Sequence, residues 1–93
     1  MIKSFRGRMT ALVFEGTIPK GFPAQIAPAA RRKLRTIDAA VRLDDLRQPP
    51  GNRLEPLGGD RAGQHSIRVN DQWRVCFIWR EGDAFEVEIV DYH

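Results

Sequence analysis

The apolar positions of this chain follow a helical spacing in the first half and strict alternation in the second. Met9, Leu12 and Val13 recur at i, i+3 and i+4, one face of a short helix. Gly16 is its expected stop, because glycine accepts the left-handed conformation at a helix C-terminus. Residues 2–5 ahead of it form a short strand candidate, and Pro19, Gly21 and Pro23 mark residues 17–25 as a loop. A second helix is predicted over residues 27–43. Pro28 is tolerated in its first turn, where a missing N–H costs nothing, and Ala30, Leu34, Ile37 and Val41 form its buried stripe. Pro49-Pro50-Gly51 rules out regular structure over residues 44–52.

A strand over residues 53–57, a glycine-rich loop over 58–63 and a strand over 65–69 come next. Asn70-Asp71-Gln72 then turns the chain back. Trp73, Val75, Phe77 and Trp79 alternate with Arg74, Cys76, Ile78 and Arg80. After the Glu81-Gly82-Asp83 turn, Phe85, Val87 and Ile89 alternate with Glu86, Glu88 and Val90. The element order is strand, helix, helix, then four strands, the last three joined as an antiparallel meander. Both helices must bury one stripe, so they are expected to cover one face of the sheet in an α+β arrangement. Counting by twos places Arg68, Arg74 and Tyr92 together on the other, solvent-open face, beside the terminal His93.

Length adds one constraint: 93 residues make a single domain, 1–93, with a compact core. There is no apolar run of transmembrane length and no apolar signal core at the N-terminus, so neither a membrane span nor a secretory leader is expected. The lone Cys76 cannot form an internal disulfide, which favours a reducing cytoplasm, and its apolar strand makes it buried filler. The net charge is +3, unevenly spread: residues 1–43 carry nine Lys/Arg against Glu15 and Asp38, while residues 81–93 carry five acids and no Lys or Arg. Twelve of the fifteen basic residues are arginines, whose two-pronged fork suits a nucleic-acid or acidic partner. A GC-rich genome, which favours arginine codons, accounts for the bias equally well. Arg31, Arg32, Arg35 and Arg42 flank the stripe of the second helix, either as a solvated face or as a contact surface for RNA or an acidic partner.

Metal-free RNA cleavage needs a base for the 2′-OH, a cation for the phosphate and an acid for the leaving 5′-oxygen. Arg74, Arg68 and Arg61 are candidate cations. His93 is a candidate acid or base near neutrality. Tyr92 is a candidate for stacking or proton transfer, and Asp91 for orienting His93 or acting as base. Against this, a terminal Tyr-His is often frayed, and a strand arginine often pairs with a nearby glutamate. Two histidines and one cysteine without close spacing do not make a zinc site, and no Walker, dinucleotide or Gly-x-Ser-x-Gly pattern is present. No metal or cofactor is expected.

Met1-Ile2-Lys3-Ser4-Phe5, residues 63–66, Trp73-Arg74-Val75-Cys76-Phe77, the Gly82-Asp83-Ala84 turn and Val90-Asp91-Tyr92-His93 together resemble the HigB-type plasmid maintenance killer toxins of the RelE/ParE superfamily. Arg53-Leu54-Glu55 with Asn70-Asp71-Gln72-Trp73-Arg74 resembles the GraT-type branch. The resemblance runs through essentially the whole chain. It implies two helices on a curved, mainly antiparallel sheet of four to five strands, in β-α-α-β-β-β-β order. It also implies a toxin of a type II toxin–antitoxin pair that cuts mRNA in the ribosomal A site and inhibits translation and growth. A helix-turn-helix, HigA-like antitoxin is the implied partner, with operator DNA bound only through the toxin–antitoxin complex. Family catalytic positions carry over to Arg74, Asp91, Tyr92 and His93, and Arg53, Arg61, Arg68 and His65 are candidate RNA contacts. Arg31, Arg32 and Arg35 are candidates for antitoxin or rRNA.

Two positions depart from the pattern Leu-His-Pro-Leu-Lys-Gly. Here Leu54-Glu55-Pro56-Leu57-Gly58-Gly59 puts Glu55 for the histidine and Gly58 for the lysine. A slower nuclease is expected, with Glu55 or His65 as the replacement proton-transfer group. Two other readings stay open: a toxin that binds the ribosome but scarcely cleaves, and a ParE-like topoisomerase inhibitor.

Overall fold

The computed structural model describes residues 1–91. Helix α1 spans Arg8–Phe14 and turns Thr10 and Val13 inward. Its end follows the glycine rule: Gly16 has φ 98° and donates its N–H to the Val13 carbonyl at 3.0 Å. A side chain at Gly16 would also press on the Arg31 guanidinium, 3.4 Å from where its Cβ would stand. Helix α2 spans Ala27–Ala39 with Pro28 in the first turn and buries Ala27, Ala30, Leu34 and Ile37. It is shorter than predicted. Ala40 is extended, and the Asp45 carboxylate accepts the Val41 and Arg42 backbone N–H groups at 2.9 Å each, which holds the Asp45 carboxyl below its usual range. Val41 is therefore 73% exposed and outside the buried stripe. Its i+4 spacing continues the pattern, but the chain has already left the helix.

Residues 44–52, expected to be irregular, form two 3₁₀ turns, Leu43–Arg47 and Pro50–Asn52, joined by Gln48 and Pro49. Asn52 ties them together. Its Nδ2 donates to the carbonyls of Leu46 and Gln48 at 3.2 and 3.1 Å, and its Oδ1 accepts from Lys33 of α2.

The sheet has four antiparallel strands in the order β1 (Glu55–Pro56), β2 (His65–Arg68), β3 (Trp73–Arg80) and β4 (Asp83–Asp91). The first is shorter than the predicted 53–57. The expected N-terminal strand is only a pair of isolated bridges, Ile2 to Ala84 and Phe5 to Val87, running parallel to β4. Both helices lie on the face that carries Ile67, Val75, Phe77, Val87 and Ile89, and Leu34, Ile37 and Phe77 are fully buried there.

A bulge interrupts the alternation of β4. Cys76 pairs with Glu88 and Ile78 with Phe85, so Glu86 and Val87 together face Phe77. Glu86 has φ 53°, a conformation that costs a non-glycine residue on the order of 1–3 kcal/mol, and its N–H is held by Ser4 Oγ at 2.9 Å. The sequence count grouped Phe85 with Val87 and Ile89. The bulge instead puts Phe85 on the opposite face, with Arg74, Cys76 and Ile78.

Leu34 sits at the centre of the helix–sheet contact with no exposed surface. Leu34→Ala is expected to lower unfolding stability by about 2–5 kcal/mol through lost burial and a residual cavity. Chemical denaturation checks this, and a loss below about 1 kcal/mol would mean that the core closes over the gap.

Candidate functional site

The face of the sheet turned away from the helices is built by cross-strand partners. Glu55 pairs with Ser66, Arg68 with Arg74, Ser66 with Cys76, and Arg74 with Val90, so their side chains share one side. This face was expected to be open, yet Ser66, Arg74 and Cys76 are buried on it. The residues after β1 fold back over it. Arg61 on the 3₁₀ turn Gly59–Arg61 reaches Gln64 Oε1 and Glu88 Oε1, both at 3.1 Å, closing the sheet above Cys76. Burial pushes the Cys76 thiol up, so the group stays protonated and unreactive.

Arg74 is the centre of the arrangement. Its Nε donates to Ser66 Oγ at 2.8 Å, and its Nη2 donates to the Arg53 carbonyl at 2.7 Å. The same Nη2 lies 3.0 Å from Glu55 Oε1. Arg53 can aim its carbonyl there because it holds a left-handed backbone, φ 46°, just before β1. The Arg74 side chain is 9% exposed and that of Glu55 is 54% exposed, so the carboxylate caps the guanidinium from the solvent side. Arg53, Glu55, Arg68, Asn70, Asp71 and Arg74 line a polar cavity of ≈ 320 Å³ beside this pair. Three guanidinium groups and two carboxylates make it net positive. A tetrahedral anion entering it would meet a buried, immobilised arginine, the arrangement that stabilises developing charge most strongly.

The predicted site residues divide as follows. Arg74, Glu55, Arg53 and Arg68 meet at the cavity, with Arg68 paired to Asp71. Asp91 stands at the end of β4 opposite Trp73 and accepts from Gln72 Nε2 at 3.1 Å. Arg61 is engaged with Glu88. His65 pairs with Pro56 and Phe77, and its ring stacks near the Phe77 ring at 6.3 Å, on the helix side of the sheet. Its Nδ1 is buried without a hydrogen-bond partner. By this register His65 stands on the opposite side of the sheet from Arg74. On α2, Arg31 donates Nε to the Phe14 carbonyl at 3.2 Å, whereas Arg32 and Arg35 are exposed. Tyr92 and His93 lie outside the described residues. Ser66 and Asn70 were not anticipated. Ser66 precedes no motif, and its role appears only through the strand register that sets it against Arg74. Among the described residues, no cluster of three His, Cys, Asp or Glu side chains is placed to hold a metal, and no helix is long and apolar enough to cross a membrane.

Comparison with known proteins matches residues 3–93 to the family described as RelE-like toxin of type II toxin-antitoxin system HigB. The chain is 39% identical over 93 residues to Endoribonuclease HigB of Proteus vulgaris, covering all of both proteins. It is 52% identical to Toxin HigB-1 of Vibrio cholerae over 62 residues, which is 67% of this chain and 65% of that protein. Among solved structures, the fold is similar to a YoeB-YefM complex from Staphylococcus aureus, with TM-score 0.57, 13% identity, and 100% and 98% of the two chains covered. It is also similar to a YoeB/ParE toxin from Agrobacterium tumefaciens, with TM-score 0.51, 17% identity and 99% of each chain covered. The two helices on an antiparallel sheet are thus a RelE/ParE-like fold, and the chain belongs to the RelE-like HigB toxin family of type II toxin–antitoxin systems.

Proposed function

We propose that this toxin is an mRNA endonuclease that acts on the translating ribosome and thereby arrests translation and growth. The observation that carries the proposal is the Arg74 guanidinium, buried, held by Ser66 and the Arg53 carbonyl, and presented to a net-positive cavity. Attack of the RNA 2′-oxygen on the adjacent phosphorus forms a 2′,3′-cyclic phosphate and breaks the bond to the 5′-oxygen. Arg74 stabilises the charge that builds on the non-bridging phosphate oxygens, with Arg68 and Arg53 binding the flanking backbone. Glu55, displaced from Arg74 by the phosphate, takes the 2′-OH proton. His93 returns a proton to the 5′-oxygen, with Asp91 orienting it and Tyr92 stacking on the exposed base. Because the substrate must first displace Glu55, the expected rate is reduced relative to a site with a free arginine.

The chain's partner in this reading is a helix-turn-helix antitoxin, with operator DNA reached only through the joint complex, and the exposed Arg32 and Arg35 meet either that antitoxin or rRNA. The testing experiment is primer extension on an mRNA in a purified translation system, with and without ribosomes. Discrete cuts only where ribosomes are present are expected. Equal cutting of naked mRNA would remove the ribosome from the mechanism. Growth arrest by a folded protein that leaves mRNA intact would replace the nuclease with a binding toxin, and gyrase supercoiling would then be measured.

A further inference from the structure

The bulge in β4 places an apolar residue where the alternation would put a polar one. Phe85 pairs with Ile78, and both stand on the Arg74 face of the sheet. Each is half-buried, and neither belongs to the core or to the partly buried apolar side chains packed on it. The exposed Arg80 lies over the Phe85 ring, its guanidinium carbon 5.3 Å from the centroid. Among the described residues Arg80 has no carboxylate partner, since Asp83, the residue across from it, is paired with the N-terminal amine. An aromatic ring, an aliphatic neighbour and an unpaired guanidinium thus form one patch.

We infer that Ile78, Phe85 and Arg80 form a stacking platform for an unpaired RNA base, at the opposite end of the Arg74 face from the phosphate cavity. This deepens the nuclease reading and rests on it. The chemistry is that of single-strand binding surfaces: a π-face accepts any base, and an adjacent guanidinium adds stacking and attraction to phosphate. Charge favours RNA over an apolar protein segment. The stripe runs from Arg53, Arg68 and Arg74 through the neutral Arg61–Glu88 pair to the Arg80 guanidinium over Phe85. Arg74 and Arg80 are six residues apart on one strand, on the order of 20 Å. That length spans about six stacked nucleotides, or fewer if the strand is stretched. The platform is a second contact on the same strand and supplies affinity without sequence choice.

The test uses the full chain and 2′-O-methyl RNA, which lacks the attacking hydroxyl and stays intact. Dissociation constants are measured for oligomers of about four and about twelve nucleotides. Phe85→Leu keeps an apolar side chain and removes the π-face, while Arg80→Gln alters only the exposed guanidinium. Both variants are expected to weaken the long oligomer about fivefold or more and to leave the short one unchanged. Unchanged binding of the long oligomer by both variants, with Arg74→Lys weakening both lengths, would overturn the platform and keep the nuclease reading. Failure of the wild type to bind either length would overturn the platform alone, since the nuclease reading is tested by ribosome-dependent cleavage. A patch that instead serves a protein partner would lose antitoxin binding in Phe85→Leu while RNA binding stays intact, which also overturns the platform.

Discussion

Arg74→Lys is expected to lower RNA cleavage about 10²–10³-fold while the protein keeps its fold. Lysine preserves the positive charge, so the effect isolates the fork. The Arg74 guanidinium makes one bond to Ser66 Oγ and one to the Arg53 carbonyl, and these hold its plane toward the cavity. An ammonium group has three donors but no fixed plane, so it does not reproduce the fork that holds Ser66 and Arg53 while facing the cavity. Because the side chain is 9% exposed, the variant's thermal unfolding is measured beside its rate. A folded Arg74→Lys protein that cleaves at the wild-type rate would remove Arg74 from the chemistry.

Glu55→Gln is expected to act in opposite directions on binding and on chemistry. The wild-type carboxylate sits 3.0 Å from Arg74 Nη2, the position the proposed mechanism gives to a phosphate oxygen. The neutral amide competes less well with a phosphate, so uncleavable RNA binds several-fold tighter to the variant. The amide cannot accept the 2′-OH proton, so single-turnover cleavage falls by about 10²–10⁴-fold. Tighter binding with unchanged cleavage would make Glu55 a capping group only. Weaker binding would mean that Glu55 supports the orientation of Arg74 and does not compete with the substrate.

The two-helix, meander architecture was legible because the apolar periods are clean from Ala30 to Ile37 and from Trp73 to Trp79. Three departures have physical causes that composition does not carry. Val41 matches the helical spacing, but the Asp45 carboxylate captures the backbone N–H groups at 41 and 42 and turns the chain away. Phe85 matches the strand alternation, but the bulge at Glu86 depends on Ser4, more than eighty residues earlier, and no local pattern signals it. The face around Arg74 was expected to be open because counting by twos assigns a side of the sheet and not what lies above it. Arg61 comes from a glycine-rich turn with no periodicity, and its contact with Glu88 appears only when the turn is folded over the sheet. Within the site, Arg74 was legible from the Trp-Arg segment. Its supports were not, because Ser66 and the Arg53 carbonyl reach it through strand register and a left-handed backbone.

The N-terminal segment has a consequence for the order of assembly. Lys3 donates to the Ala84 carbonyl at 2.7 Å, Arg6 to the Val87 carbonyl at 3.0 Å, and the Ile89 N–H donates to Thr10 Oγ1 at 3.0 Å. The meander closes through short turns, but these bonds close loops that span most of the sequence, the slowest kind to form. A nascent chain can stack its helices early, yet they have no sheet to rest on until β4 leaves the exit tunnel. The fold is therefore expected to close late in synthesis, once β4 is available to carry both the N-terminal segment and the helices.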